Sequence, residues 1–526
     1  MRVTVEGAPP DLGRDDGLVR VSEDDQGPGR DATLGYGRAC AVAAVLAGAV
    51  FASLLLTDPL LHASPNANYY YFYDLQAHSL LHLRWNVPTH SLGLEAFVVH
   101  GRTYEYFGPF PALLRLPIAA LTSRFDGELG KLSMLVAFGV LMTFTVRLAT
   151  RIRPLVRGDS VVTAGERWAF AVFTFAVGAG SVVVFLASRA WVYHEAALWA
   201  VALALGAFEF VLAFTTKPTP KNLLLASAFI AATLLARSVT GLGPLIALGL
   251  VCCPIFVTRG SRLFGISEWP AGWRFRLLCV GAIVVPVGLY CAVNYGKFGT
   301  LFSIPWEATL SAHVPFGIAP VLARNGGSLI GLKFVPETLL QYVRPDAVRP
   351  STWFPWLQFG PAPHTAAKYT VTSSITTSMP AFTVLAVVGA VGAVRGTGLA
   401  NSKLAALRAP LLGACAASTA TLSVGWIANR YLSDFVPGLV VAALAGLHLM
   451  MRWSSAHRGK VAKLAWTALA VLVTVGVWTN LSLAILYGRL LEPHTPPKTR
   501  TSFVDLQHTI HDFFVIGSIK AHPGRS

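Results

Sequence analysis

The chain has 526 residues, of which 54% are hydrophobic and only 13% charged, and its mean hydropathy is +0.56. A soluble chain carries about a quarter charged residues, so a soluble globular class is excluded. The formal net charge of +16 does not point to nucleic acid, because Lys and Arg are scattered through loops rather than gathered in a basic domain.

Residues 1–38 are rich in Asp, Gly and Arg, as in SEDDQGPGRDA, and are expected to form a disordered cytoplasmic tail. The first apolar run starts too far from Met1 for a signal peptide. Beyond it, apolar runs of roughly twenty residues recur, each long enough to cross about 30 Å of hydrocarbon as a helix. Backbone amides in lipid need internal partners, so the expected fold is an all-α polytopic membrane protein. About eleven transmembrane helices are predicted, at 39–57, 131–150, 168–187, 195–214, 222–236, 241–258, 277–295, 376–394, 409–425, 433–451 and 464–487. The six cysteines, Cys40, Cys252, Cys253, Cys279, Cys291 and Cys415, fall in apolar runs without zinc or disulfide spacing and read as small buried hydrophobes.

Loop charge sets the expected orientation. With the N-terminus inside, inner loops carry clusters such as Arg151, Arg153, Arg157 and Arg167, or Arg259, Arg262, Arg274 and Arg276. The short outer loops carry one arginine each, Arg189, Arg237 and Arg430. This predicts a multi-pass protein of the cytoplasmic (plasma) membrane with an extracytoplasmic C-terminus. A transmembrane module, 39–295, contains the external loop 58–130. It is followed by a large external loop, 296–375, C-terminal helices, 376–487, and an external tail, 488–526.

The first external loop begins NANYYYFYDLQAHSLLHLRWNVP. Ala77, Leu80, Leu81 and Leu83 predict a short amphipathic helix. EAFVVHGRTYEYFGP reads as two short strands around a His100-Gly101 turn. PALLRLPIAALTSRF is interrupted by Arg115 and Pro117 and reads as an interfacial helix rather than a span. Asp74 stands just beyond the first span, where a carboxylate can act as a general base or cap the following helix.

An acid soon after the first span, followed by interfacial segments and a second span, resembles the GT-C superfamily of membrane glycosyltransferases. Within it, the chain resembles the protein O-mannosyltransferase and aminoarabinose transferase branch. The residues carrying the resemblance are Asp74-Leu75-Gln76-Ala77, Leu80-Leu81 and Phe107-Gly108-Pro109-Phe110-Pro111. The large loop 296–375 also fits, and the resemblance covers roughly residues 39–375. It implies a polyprenyl phosphate sugar as donor, used on the outer face, with membrane lipids around it and a glycan, lipid or protein as acceptor. It also implies Asp74 as catalytic base of an inverting transfer, with Gln76 and His78 near the substrate. Many relatives place a second acid beside the first, but Asp74 is followed by Leu75, so no paired-acid motif supports a divalent metal.

A donor phosphate needs cations near the outer interface, and arginine binds phosphate in bidentate fashion. Arg237, Arg189 and Arg430 are the candidates, against interfacial snorkelling. His194 and Glu195, in ASRAWVYHEAALW, are placed to bind sugar hydroxyls or to form an aromatic belt with a helix N-terminal acid. WIANRYLSDFVP puts Arg430 and Asp434 four residues apart, as an ion pair or, with Tyr431, as substrate contacts. Glu307, with Trp306 and Trp353, stands where the large loop meets a sugar or docks on the membrane. The expected function is therefore glycosyl transfer. A lipid or lipid-linked sugar transporter or flippase, or a non-catalytic assembly partner, is the alternative.

Overall fold

The computed structural model describes residues 28–57, 68–158, 160–253, 261–266, 272–315, 317–363, 365–395, 399–457 and 459–521. The helices in chain order begin with α1 (Pro28–Leu56), α2 (Phe72–Leu81), α3 (Phe110–Ala119), α4 (Leu129–Arg157), α5 (Ala164–Ala179) and α6 (Val182–Leu186). There follow α7 (Val192–Thr216), α8 (Pro220–Ala236), α9 (Ser238–Cys252), α10 (Trp273–Phe298), α11 (Ala319–Arg324) and α12 (Val335–Val343). The last are α13 (Ile375–Ser378), α14 (Pro380–Arg395), α15 (Arg408–Leu422), α16 (Val436–Ala456), α17 (Lys460–Leu486) and α18 (Pro497–Ala521).

The protein is a mostly helical, polytopic membrane protein. Among the described residues eight helical segments are long and apolar enough to cross a membrane. They are Gly35–Leu56, Leu129–Arg157, Ala164–Leu186, Val192–Thr216, Trp273–Phe298, Lys403–Leu422, Asn429–Ala456 and Lys460–Leu491. The segments expected at 222–236, 241–258 and 376–394 correspond to α8, α9 and α14, shorter apolar helices of 17, 15 and 16 residues; residues 254–258 of the second lie outside the described residues. Helix α1 begins at Pro28 and so runs into the stretch assigned by composition to the tail; residues 1–27 of that stretch lie outside the described residues.

Helix α7 is the axis of the bundle. Its apolar window is buried over its whole length, with α4, α8, α9 and α16 against it. Exposed apolar side chains such as Val42 and Val45 on α1 or Val284 and Val285 on α10 lie on outward faces, as expected where the surrounding solvent is lipid. Small residues bring helices close: a Cβ on Gly389 of α14 or Gly446 of α16 would strike the backbone of the other helix. Cysteine burial departs from the expectation, because Cys40, Cys252 and Cys279 are buried but Cys253 and Cys415 are exposed and Cys291 is partly so.

Among the described residues six short strands pair two by two. β1 (Phe97–Val99) and β2 (Arg102–Tyr104) form the expected hairpin, turning at His100 and Gly101, both at positive φ. β3 (Val348–Pro350) pairs with β4 (Leu357–Phe359), and β5 (Lys368–Tyr369) runs parallel to β6 (Trp426–Ile427). A bridge from Phe97 to Thr309 ties the hairpin to loop 296–375. Helices α2 and α3 have ten residues each and are too short to span. The C-terminal α18 packs on loop 296–375 through His508 and His511 against Trp353.

Candidate functional site

The segment 106–109 that follows the hairpin, the loop 296–375, the junction of α8 with α9, the C-terminal end of α10 and the chain just beyond α15 bound a cavity of about 380 Å³. It is bounded by Tyr106, Arg237, Asn294, Lys297, Trp306 and Tyr431, among others. A narrow recess of about 30 Å³ shares Tyr106, Trp306 and Tyr431 with it and adds Glu95, Tyr193 and Arg430. Apolar side chains, including Leu234, Leu235, Val293 and Phe302, form the remaining wall.

Local sequence explains why the loop sits here. A Cβ on Gly108 would strike the carbonyl of Leu235 at the end of α8, so only glycine lets this strand of chain lie so close. Lys297 at the end of α10 fixes the same segment, donating from Nζ to the carbonyls of Glu105 (3.0 Å) and Phe107 (2.7 Å). Stacking of Tyr106 on Phe107, with ring centroids 4.2 Å apart, completes the floor.

Arg237 at the cavity and Arg430 at the recess stand in different electrostatic states. Arg237 joins α8 to α9 in extended backbone and is held by Asp434 through two hydrogen bonds, Nε to Oδ1 at 2.8 Å and Nη2 to Oδ2 at 2.9 Å. Thr240 (2.6 Å) and Thr421 (3.3 Å) also donate to Asp434. The Arg237 charge is therefore matched by a carboxylate. Arg430 has no such partner among the described residues, and its Nε makes no hydrogen bond. It lies instead over the rings of Tyr193 (4.5 Å), Tyr431 (5.1 Å) and Trp426 (5.9 Å), an aromatic setting that favours a cation without neutralising it. The i,i+4 pairing of Arg430 with Asp434 does not form, because Asn429–Phe435 is a 3₁₀ helix. With three residues per turn, positions i and i+4 no longer share a face.

Asp74 takes up a different place. Its Oδ1 accepts from Arg115 Nη1 at 2.8 Å and its Oδ2 from the Gly127 amide at 2.8 Å, and it is 3% exposed. Arg115 also donates through Nη2 to both oxygens of Glu195, at 2.8 and 2.7 Å. One guanidinium thus bridges two buried carboxylates from α2 and α7. Burial raises the Asp74 carboxyl above its ordinary range, opposed by the Arg115 charge and the Gly127 bond. Arg115, which the sequence marked only as an interruption of an apolar stretch, is the organising cation of this triad.

The other predicted residues fall into separate groups. Arg189 is fully buried and donates to the Gly488 carbonyl (2.7 Å) and Thr495 Oγ1 (2.6 Å). His194 is buried behind it, with Nδ1 on the carbonyls of Leu186 (3.0 Å) and Arg189 (3.1 Å). His78 pairs with Asp126 at 2.9 Å, and Gln76 is fully buried with no hydrogen-bond partner for its amide among the described residues. Glu307 is exposed, with its carboxylate against Gly327. Arg237 and Tyr431 line the cavity, Arg430 lines the recess beside it, and Asp434 is joined to them through Arg237; Asp74 and Glu195 are brought together by Arg115. Among the described residues no group of three or more His, Cys, Asp or Glu is placed to hold a metal ion.

Two acids escaped the sequence reading. Glu95 lines the recess, where the Tyr193 hydroxyl and the Arg430 charge face it. Burial raises its carboxyl, and these two partners oppose the rise. Glu105 is fully buried, its oxygens without hydrogen-bond partners among the described residues, and burial pushes it up to about 8 against the charges of Lys297 and Arg115. Because the folded protein holds a proton that the unfolded chain releases near pH 4.5, Glu105 makes stability fall as pH rises from there to about 8. Glu105→Gln is expected to remove that slope, raising the apparent Tm near pH 8 and leaving it unchanged near pH 5, as read by thermal unfolding in detergent. A slope identical to that of the wild type would contradict the assignment.

No protein-family model and no curated protein matches the chain. Among solved structures, the chain is similar to the apo form of the oligosaccharyltransferase from Archaeoglobus fulgidus, with 14% identity and a TM-score of 0.45. The match covers 87% of this chain and 57% of that one, so the chain spans less than two thirds of that protein's length.

Proposed function

We propose that the chain is a GT-C-type glycosyltransferase that moves a sugar from a polyprenyl phosphate donor to an acceptor on the outer face of the membrane. The observation that carries this reading is the presence, in one recess, of an arginine without an ion-pair contact among the described residues, Arg430, and an acid that faces its charge, Glu95. Arg430 takes the donor phosphate, and Arg237, already balanced by Asp434, shapes the site beside it. Preorganised positive charge stabilises a leaving phosphate without reorganising at the moment of reaction. The apolar wall of Leu234, Leu235 and Val293 takes the first prenyl units, and Tyr106 and Trp306 stack on the sugar.

In the transfer, the acceptor hydroxyl oxygen bonds to the anomeric carbon as the bond from that carbon to the phosphate oxygen breaks. The phosphate leaves with the electron pair towards Arg430, the proton passes to Glu95, and the anomeric configuration inverts. The recess of about 30 Å³ has room for about one water, so the acceptor hydroxyl reaches Glu95 from the adjoining cavity as the recess widens. A second reading, favoured by the raised proton affinity of the buried carboxyl, makes Asp74 the base once Arg115 releases it.

Parallel assays of Glu95→Gln and Asp74→Asn separate the two. With Glu95 as base, Glu95→Gln lowers transfer about 10²- to 10⁴-fold while donor binding persists, and Asp74→Asn weakens the fold but keeps the rate per folded molecule. The reverse pattern assigns the base to Asp74. Normal transfer by both variants removes acid–base chemistry from either residue.

A further inference from the structure

A second polar cavity lies at the far end of the bundle. Glu209 follows Glu195 by fourteen residues along α7, about 21 Å of helical rise, so this cavity opens on the face opposite the candidate site. Its volume is about 700 Å³, and its lining includes Arg147 and Arg151 of α4, Glu209 of α7 and Lys403 ahead of α15. Both arginines converge on one oxygen: Arg147 Nη2 lies 3.1 Å from Glu209 Oε1, and Arg151 Nε and Nη2 lie 2.9 and 2.8 Å from it. The cavity is thus lined by three cations and a single carboxylate, an excess of two positive charges. Arg147 Nε and Nη1 and Arg151 Nη1 make no hydrogen bond among the described residues. The Arg147 guanidinium is held in place over Phe144 (5.8 Å) and Phe210 (5.4 Å). Val146, Pro154 and Leu155 give the same cavity an apolar wall.

We propose that this cavity is a phosphate-binding site, taking either the headgroup of an anionic phospholipid or a soluble phosphate. Fixed guanidinium donors beside a mobile ammonium suit a phosphate oxygen cluster, and the apolar wall suits the glycerol end of a lipid. The site is independent of the glycosyl-transfer reading.

The test uses the full chain in detergent, with phosphatidylglycerol, phosphatidylcholine or inorganic phosphate added. Lipid retention is followed by native mass spectrometry and stability by the apparent Tm. The variant Arg147→Gln/Lys403→Gln keeps the Arg151–Glu209 pair. The control Arg452→Gln/Lys463→Gln removes two exposed charges from other helix ends, those of α16 and α17. Each charge is worth about fivefold in attraction for an anionic headgroup, so the variant is expected to retain phosphatidylglycerol roughly 25-fold less well than the wild type. The control should retain it nearly as well as the wild type. A rise in Tm with inorganic phosphate, lost in the same variant, supports the site with a soluble ligand. Equal retention of phosphatidylglycerol and phosphatidylcholine with no response to phosphate, or equal losses in variant and control, overturns the proposal.

Discussion

Arg115→Met is expected to destabilise the protein by about 3–5 kcal/mol, the cost of stranding buried charges by deleting one partner. The reason lies in the triad. Arg115 is 3% exposed and touches carboxylates that are equally hidden, Asp74 on α2 and Glu195 at the start of α7. Without the guanidinium, two acids face each other in a site that water does not reach, and each must take up a proton or repel the other. Neutralising both, in Arg115→Met/Asp74→Asn/Glu195→Gln, should recover most of the loss, because an uncharged buried site has no charge left to compensate. Thermal unfolding of the purified proteins reads both effects. A single variant that melts with the wild type would show that the triad does not hold α2 and α3 against α7.

Arg430→Gln has the second large effect, on chemistry rather than on folding. Arg430 sits among Tyr193, Trp426 and Tyr431 and makes no ion-pair contact among the described residues, so its removal breaks no hydrogen-bonded pair, and Glu95, whose carboxyl it faces, keeps the Tyr193 hydroxyl. The fold should survive. Transfer should fall about 10²- to 10³-fold, the usual cost of removing one preorganised donor from a developing anion. Arg237→Gln should behave differently. It strands Asp434 at the junction of α9, α15 and α16 and so should lower stability as well as rate. Steady-state transfer assays alongside melting curves distinguish the two variants. Equal loss of stability in both would contradict the different electrostatic states assigned to them.

Features governed by local rules were readable in the sequence. The long apolar runs in α4, α7, α10 and α17 cross-check against the helices. The hairpin around His100 and Gly101 followed from strand residues flanking a turn. Pairings between residues remote in the chain were not readable. Arg237 and Asp434 stand 197 positions apart, and Arg115 and Glu195 stand 80 apart. Nothing in local periodicity brings either pair together. The Arg430–Asp434 spacing suggested a helical pair, yet a 3₁₀ turn sent Asp434 to Arg237 and left Arg430 to the aromatics. Glu95 was missed because it stands in a short 3₁₀ turn ahead of β1, with no periodicity to mark it. The only sequence signal for its neighbourhood was the density of tyrosines at 69–73, 104–106 and 193, which also suits an interfacial belt.

The most direct measurement is the identification by mass spectrometry of lipids retained by the purified wild-type protein and by Arg430→Gln. The proposed function predicts a polyprenyl phosphate sugar on the wild type and its loss from the variant. Retention of ordinary phospholipids alone, or of the same lipids by both proteins, would contradict it.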